Sequence, residues 1–291
     1  MVISNTRWIV KMGTKENSVK DIVLVGHFAL DTIVNQRVQP ETISHSLGGG
    51  VTYGSLAAAF YNPMSNIGIV SRIGMDLNGS MLSILSNNKI DQRGIIQAGE
   101  HSTGYKLVYH QKGRDLMLMN KAPNIEIADF PESFIAAKAI HMTPIANEFS
   151  PEFIKDLADH DATQDTLIGI DVQGIIRDFD KDNNVIMRND NEIRQRVYKI
   201  LQQFGSRMFF KASDAEAIAC TGITDLVKAT EYLAETGAYI FTTLGEKGLY
   251  MKAPGYPIVK LPAYRPRQCV DETGAGDCFS ATLLLQMAQL D

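Results

Sequence analysis

Apolar residues in this chain gather in short unbroken blocks, and between the blocks they recur at helical spacing. Ile22-Val23-Leu24-Val25 runs into Gly26, and similar blocks occupy 67–70, 139–142, 167–170, 208–210 and 238–241. Blocks that short, β-branched and without a polar face, predict strands buried on both sides of a parallel sheet. Residues 151–160 read as a helix, and from 192 to 204 the residues Ile193, Val197, Ile200, Leu201 and Phe204 share one face of another. Strands and helices in turn, joined by right-handed crossovers, predict a doubly wound, mostly parallel α/β sheet flanked by helices.

Two segments break that pattern. Residues 32–47 and 103–120 alternate apolar and polar positions (Tyr105, Leu107, Tyr109; then Leu116, Leu118), with Gln111 to Asp115 as a turn between arms. Alternation with period two predicts half-exposed strands, here a small β sheet set apart from the main one. The main domain is then expected over 21–291 and an N-terminal extension over 1–20. Ser213-x-x-Glu216, directly after a strand block, has the form of a helix capping box.

Composition narrows the function classes. The 291 residues are 45% apolar, enough for a large core, and the net charge of −5 offers no basic face for a nucleic-acid backbone. Cys220, Cys269 and Cys278 show no C-x-x-C spacing, which points to a reducing, cytoplasmic compartment and to buried thiols. No apolar run has the ~18 residues of a membrane span, and the first 20 residues lack the apolar core of a secretory signal. The string 178–184 begins like a calcium loop but lacks the glycine at its sixth place and the glutamate at its twelfth, where Asn189 stands. No G-x-x-x-x-G-K-[ST] occurs, so a P-loop is excluded.

The candidate chemistry lies near the C-terminus, in Asp271-Glu272-Thr273-Gly274-Ala275-Gly276-Asp277, which runs straight into an apolar helical stretch. The first amides of a helix have no internal partner. With Gly274, Ala275 and Gly276 nearly bare, an anion approaching them would meet those N–H groups and the positive end of the helix dipole. Asp277 would then serve as a general base beside the bound anion, an arrangement suited to phosphoryl transfer. A plain turn with Asp capping a helix explains an isolated Gly-Ala-Gly-Asp better; the seven-residue string with its apolar sequel is more specific. Asp31 follows a strand on the edge where open α/β sheets hold ligands, and Gln173 and Arg177 follow another. A loop Asp and a solvated Arg are their ordinary alternatives.

The seven-residue string closely resembles the C-terminal signature of the PfkB, or ribokinase-like, family of small-molecule kinases. Other segments resemble the family in the same order: Gly48-Gly49-Gly50 before an alanine-rich helix, Ser213-x-x-Glu216 in place of Asn-x-x-Glu, and Thr243-Leu244-Gly245-Glu246-Lys247-Gly248. The resemblance implies an ATP-dependent kinase acting on a hydroxyl of a sugar or polyol. Asp277 would be the base, and the Gly274–Gly276 amides the anion hole. Glu216 would order hydrated Mg²⁺, and Asp271 would support a monovalent cation. Thr243, Gly245, Gly248 and Ser213 would line the nucleotide site. Asp31, Gly49, Gly50, Tyr53, Gln173 and Arg177 would face the acceptor, under a β lid that often pairs two subunits as a homodimer. Tyr53, where many sugar kinases carry Asn, turns the expectation from ribose toward a cyclic polyol such as inositol. A nucleoside kinase and a non-catalytic binding relative are the alternatives.

Overall fold

The computed structural model describes residues 18–268 and 272–290. β1 (Ile22–Val25) leads into a hairpin, β2 (Ala29–Asn35) and β3 (Thr42–Gly48), which turns into helix α1 (Gly50–Tyr61). Next come β4 (Ile67–Ile73), the short α2 (Ser83–Asn87), β5 (Asp91–Gln97), a second hairpin of β6 (Gly104–His110) and β7 (Gly113–Asn120), and α3 (Glu132–Ile135). β8 (Ala139–Met142), α4 (Pro151–Asp159), β9 (Leu167–Asp171), α5 (Gln173–Ile176) and a ribbon of β10 (Arg177–Phe179) and β11 (Val185–Met187) follow. The remainder holds α6 (Asn191–Phe204), β12 (Met208–Ser213), α7 (Asp214–Thr221), α8 (Leu226–Ala234), β13 (Tyr239–Thr243), β14 (Leu249–Lys252), β15 (Val259–Leu261) and α9 (Ala275–Ala288).

The main sheet has nine strands in the order β15-β14-β13-β12-β9-β8-β1-β4-β5. From β13 to β5 every pairing is parallel, while β14 and β15 close one edge antiparallel. The inner strands are buried along almost their whole length because helices cover both faces, which is why they read as apolar blocks. Local caps set the helix starts. Ser150 Oγ accepts the Phe153 amide at 3.1 Å with Pro151 in the first turn, and Asp190 accepts the Ile193 amide at 3.0 Å.

The two alternating segments pair as a second sheet of four strands, β3-β2-β6-β7. One of its faces, with Tyr105 and Leu107, packs on Ile145 and Ala146 just beyond β8. The calcium-like string is the turn of the β10–β11 ribbon, where Asp180 Oδ1 accepts the amides of Asp182 and Asn184 at 2.8 and 2.9 Å.

In the main sheet the strand order reverses beside β1: the chain runs outward through β4 and β5, then returns to β8 on the other side. Such a switch point, at the carboxyl ends of the strands, is where open α/β sheets place a ligand crevice. Thr143, the residue after β8, sits against Gly26, the residue after β1, so closely that a Cβ on the glycine would stand 2.6 Å from the Thr143 carbonyl oxygen.

Candidate active site

α9 begins at Ala275, and Gly274 before it takes the left-handed conformation (φ 77°) that glycine alone adopts without strain. A side chain at Gly274 would also meet Tyr53, whose ring comes to 2.4 Å from the Cβ position. At Gly276 the constraint is charge: a Cβ would stand 3.0 Å from Lys211 Nζ. The glycines of this elbow thus admit a ring on one side and a cation on the other. One expectation is corrected here. The Ala275 amide is not left for an anion, because the left-handed turn directs it to the Glu272 carbonyl at 3.1 Å.

Asp277 lies in the first turn of α9, with Oδ1 2.9 Å from where a Cβ on Gly50 would be. Gly50 opens α1, and its Cβ position is also 2.6 Å from Thr143 Cβ, so the N-terminal glycines and the C-terminal elbow converge on the crevice at the switch point. Gly49 (φ 92°) makes the turn from β3 into α1. Asp31 Oδ2 stands 2.9 Å from the Cβ position of Gly48. Asp31 and Asp277 therefore flank one run of three glycines. The ring of Tyr53, a residue expected on the acceptor side, lies against Gly274 of the elbow.

Asp31 is half-buried, but its Oδ1 is shut off from water and has no hydrogen-bond partner among the described residues. Burial pushes its pKa up to about 6, against the pull of the Tyr105 amide and of Arg177 and Arg114. Arg177 donates to the Ile145 carbonyl at 3.1 Å and lies over the Tyr105 ring, 5.8 Å from its centroid. Its positive charge acts on both Asp31 and Asp277. Gln173 opens α5 with its amide on Asp171 Oδ1 at 3.3 Å.

Sequence reasoning passed over one ion pair at the centre of the site. Lys211 on β12 and Asp171 on β9 are register partners, and Lys211 Nζ meets Asp171 Oδ2 at 2.8 Å with both side chains nearly excluded from water. Burial alone would make the Lys211 ammonium easier to deprotonate, but Asp171, Glu216 and Asp277 outweigh it and raise its pKa. Glu216 is raised by burial and by Asp171. Asp277 is raised to about 7, first by burial and then by Asp171, while Lys211 and Arg177 pull it down and Glu216 pushes it up. A signal for the pair was present: a lysine inside an apolar strand needs a buried partner.

Ser213 and Glu216 form the capping box expected of them. The Ser213 amide donates to Glu216 Oε2 at 2.7 Å, and the Glu216 amide to Ser213 Oγ at 3.3 Å. Thr243 is the register neighbour of Ser213 at the end of β13, with its hydroxyl 3.4 Å from the Ala212 carbonyl. Beyond it Gly245 (φ 57°) faces open space, whereas at Gly248 (φ 93°) a Cβ would overlap the Leu261 carbonyl of β15. Asp271 and Cys269 lie outside the described residues. Of the other cysteines, Cys220 is buried and Cys278 half-buried. Among the described residues no set of three His, Cys, Asp or Glu side chains is arranged to hold a metal alone. A single carboxylate there, Glu216, fits a Mg²⁺ that keeps most of its ligands as water and phosphate. Nor is any described helix long and apolar enough to cross a membrane.

The model of the pfkB family of carbohydrate kinases matches residues 19–289. This chain belongs to that family. It is accordingly a phosphotransferase that acts on an alcohol group. Among curated proteins it is similar to a cytidine kinase of Thermococcus kodakarensis, 26% identical over 279 residues, which are 91% of this chain and 87% of that one. Solved structures with the same fold include a pyrophosphate-dependent kinase of the ribokinase family complexed with a pyrophosphate analog and myo-inositol (TM-score 0.73, 21% identity, 92% of this chain and 87% of that one). Another is the Arabidopsis thaliana ribokinase complexed with ribose and ATP (TM-score 0.71, 17% identity, 93% of this chain and 86% of that one).

Proposed function

We propose that the protein transfers the γ-phosphoryl group of ATP to a hydroxyl of a sugar or polyol, inositol-like in shape, with Asp277 as general base. The observation that carries this reading is a single one: Asp277 stands half-buried at the start of α9 against Gly50, facing Lys211 and Arg177, with its pKa raised to about 7. In the step itself the acceptor oxygen attacks the γ-phosphorus and its proton passes to Asp277. The bond from phosphorus to the β-phosphate oxygen breaks, and ADP leaves with that electron pair. Gly274 and Gly276 at the helix start, with Lys211 behind them, hold the charge spread over the transferring group. A bound Mg²⁺ would supply charge neutralisation on the donor phosphates, and Glu216 is the residue that would hold it through water.

Asp31 supports the acceptor assignment, because an unpartnered buried carboxylate oxygen calls for a hydroxyl donor. Arg177, Gly49, Gly50, Gln173 and Tyr53 complete that side of the crevice, Tyr53 with its ring against the elbow. Ser213, Thr243, Gly245 and Gly248 form the nucleotide side at the ends of β12 and β13, and Asp271 assists a monovalent cation. Residues 21–291 act as the kinase domain, and the four-stranded sheet is its lid and a surface for a homodimer, in a protein of the cytoplasm. A nucleoside acceptor is the second reading, favoured by the likeness to a cytidine kinase.

Turnover of Asp277→Asn over a panel of sugars, inositols and nucleosides, with ATP and pyrophosphate as donors, tests the proposal. Loss of the base is expected to lower kcat by roughly 10²–10⁴-fold while donor binding, measured by calorimetry, is kept. Wild-type turnover in that variant removes Asp277 from the mechanism.

A further inference from the structure

Glu148 takes no part in the transfer just described, yet its side chain is wholly buried. A buried carboxylate must find donors, and among the described residues no lysine or arginine pairs with it. Backbone amides take their place. His27 N–H lies 3.0 Å from Oε1, the Ile145 amide 3.1 and 3.0 Å from the two oxygens, and the Ala146 amide 2.8 Å from Oε2. His27 belongs to the loop leaving β1, and Ile145 and Ala146 to the loop leaving β8. One side chain thus ties together the two lips of the crevice at the switch point.

The acceptor side hangs on the segments so tied. The Ile145 carbonyl accepts Arg177 Nη1 at 3.1 Å and the Tyr105 hydroxyl at 2.5 Å. The Tyr105 amide in turn supports the Asp31 carboxylate. On the other lip the buried His27 ring bridges Thr103 Oγ1 at 2.8 Å and the Pro123 carbonyl at 3.0 Å, and the Leu30 amide next to Asp31 donates to the Thr103 carbonyl at 2.8 Å.

We propose that Glu148 is a positioning residue for the acceptor: by clamping the amides of His27, Ile145 and Ala146 it fixes the Ile145 carbonyl, and through it the Arg177 guanidinium facing Asp31. This rests on the reading of Asp31 and Arg177 as acceptor ligands. Glu148→Gln keeps the side chain's shape but offers one oxygen to three donors and sets an NH₂ group against them. The acceptor KM of this variant is expected to rise roughly 10- to 100-fold, as a sub-ångström displacement of a binding group allows, with the ATP KM within about twofold of wild type. Tyr105→Phe, which removes one of the two donors on the Ile145 carbonyl, is expected to shift the acceptor KM the same way by less, and carries the test if Glu148→Gln does not fold. An unchanged acceptor KM with a lowered melting temperature overturns the inference, since that glutamate serves the fold alone. If the wild type phosphorylates no acceptor, the proposed function fails but the clamp is still read by hydrogen exchange. Faster exchange in peptides carrying Asp31 and Arg177 supports it, and a change confined to 145–148 overturns it.

Discussion

Asp277 is surrounded by charges of both signs, and their balance sets its protonation. Burial, Asp171 and Glu216 raise its pKa, Lys211 and Arg177 lower it, and the result is about 7. A base with that pKa is half-ionised at neutral pH, so kcat/KM is expected to rise with pH through about 7 and to level off above it. Lys211→Met removes one of the two cations facing Asp277 and leaves Asp171 buried without its partner. The rising limb is therefore expected to move to higher pH by about one unit, with a loss of roughly 3–5 kcal/mol in stability from the broken buried pair. Lys211→Arg, which keeps the charge, is expected to leave the limb near its wild-type position. A pH–rate profile of the three forms decides the matter, and a limb unmoved in a folded Lys211→Met protein shows that Asp277 does not feel Lys211.

Among the elements, α1 and α9 matter most to the site, because each contributes its first turn to the crevice. They approach closely at Gly54, where a Cβ would stand 3.1 Å from Ala281 Cβ and 3.3 Å from a Leu24 methyl. Gly54→Val is expected to force the two helices apart, costing about 1–3 kcal/mol and lowering kcat well beyond what the loss of folded protein explains. Equal losses of activity and folded fraction, compared by activity and circular dichroism on one sample, would show that the elbow does not depend on this packing. The elements themselves were legible in the sequence for a physical reason: a strand covered on both faces has no polar face, and a capping box such as Ser213–Glu216 is complete within four residues. Contacts across the sheet were not legible. The Lys211–Asp171 pair depends on the register of β9 against β12, and the Glu148 clamp on two loops that sequence separates by more than a hundred residues. The Ala275 amide was misjudged because its partner is set by the turn angle at Gly274.

Across the whole molecule, the buried ionisable groups make stability depend on pH in two opposing ways. His141 stands in the middle of β8 with neither ring nitrogen hydrogen-bonded among the described residues, edge-on to Phe209, and burial lowers its pKa to about 4. His27 is lowered too, by burial first. An unfolded histidine takes up its proton near pH 6.5, so between there and the folded pKa the unfolded chain binds the extra proton, and stability is lost as pH falls, at about 1.4 kcal/mol per unit for each such group. Asp31, at about 6, Asp277, at about 7, and Glu216, also raised, work in the other direction. Their carboxyls hold protons in the folded protein that the unfolded chain has released, so below neutrality they return stability. The wild type is therefore expected to show a shallow dependence between pH 7 and 5 that hides two steeper ones. His141→Leu keeps the volume, packs on Phe209 and removes one histidine contribution while the carboxylates of the site remain. Its advantage over wild type is expected to be about 2 kcal/mol larger at pH 5 than at pH 7.5, because the wild type has by then crossed about 1.5 pH units of the histidine window. Urea unfolding midpoints at the two pH values measure this difference. An advantage of the same size at both would mean that His141 binds its proton equally well folded and unfolded, which a ring with no hydrogen-bond partner and no access to water does not do.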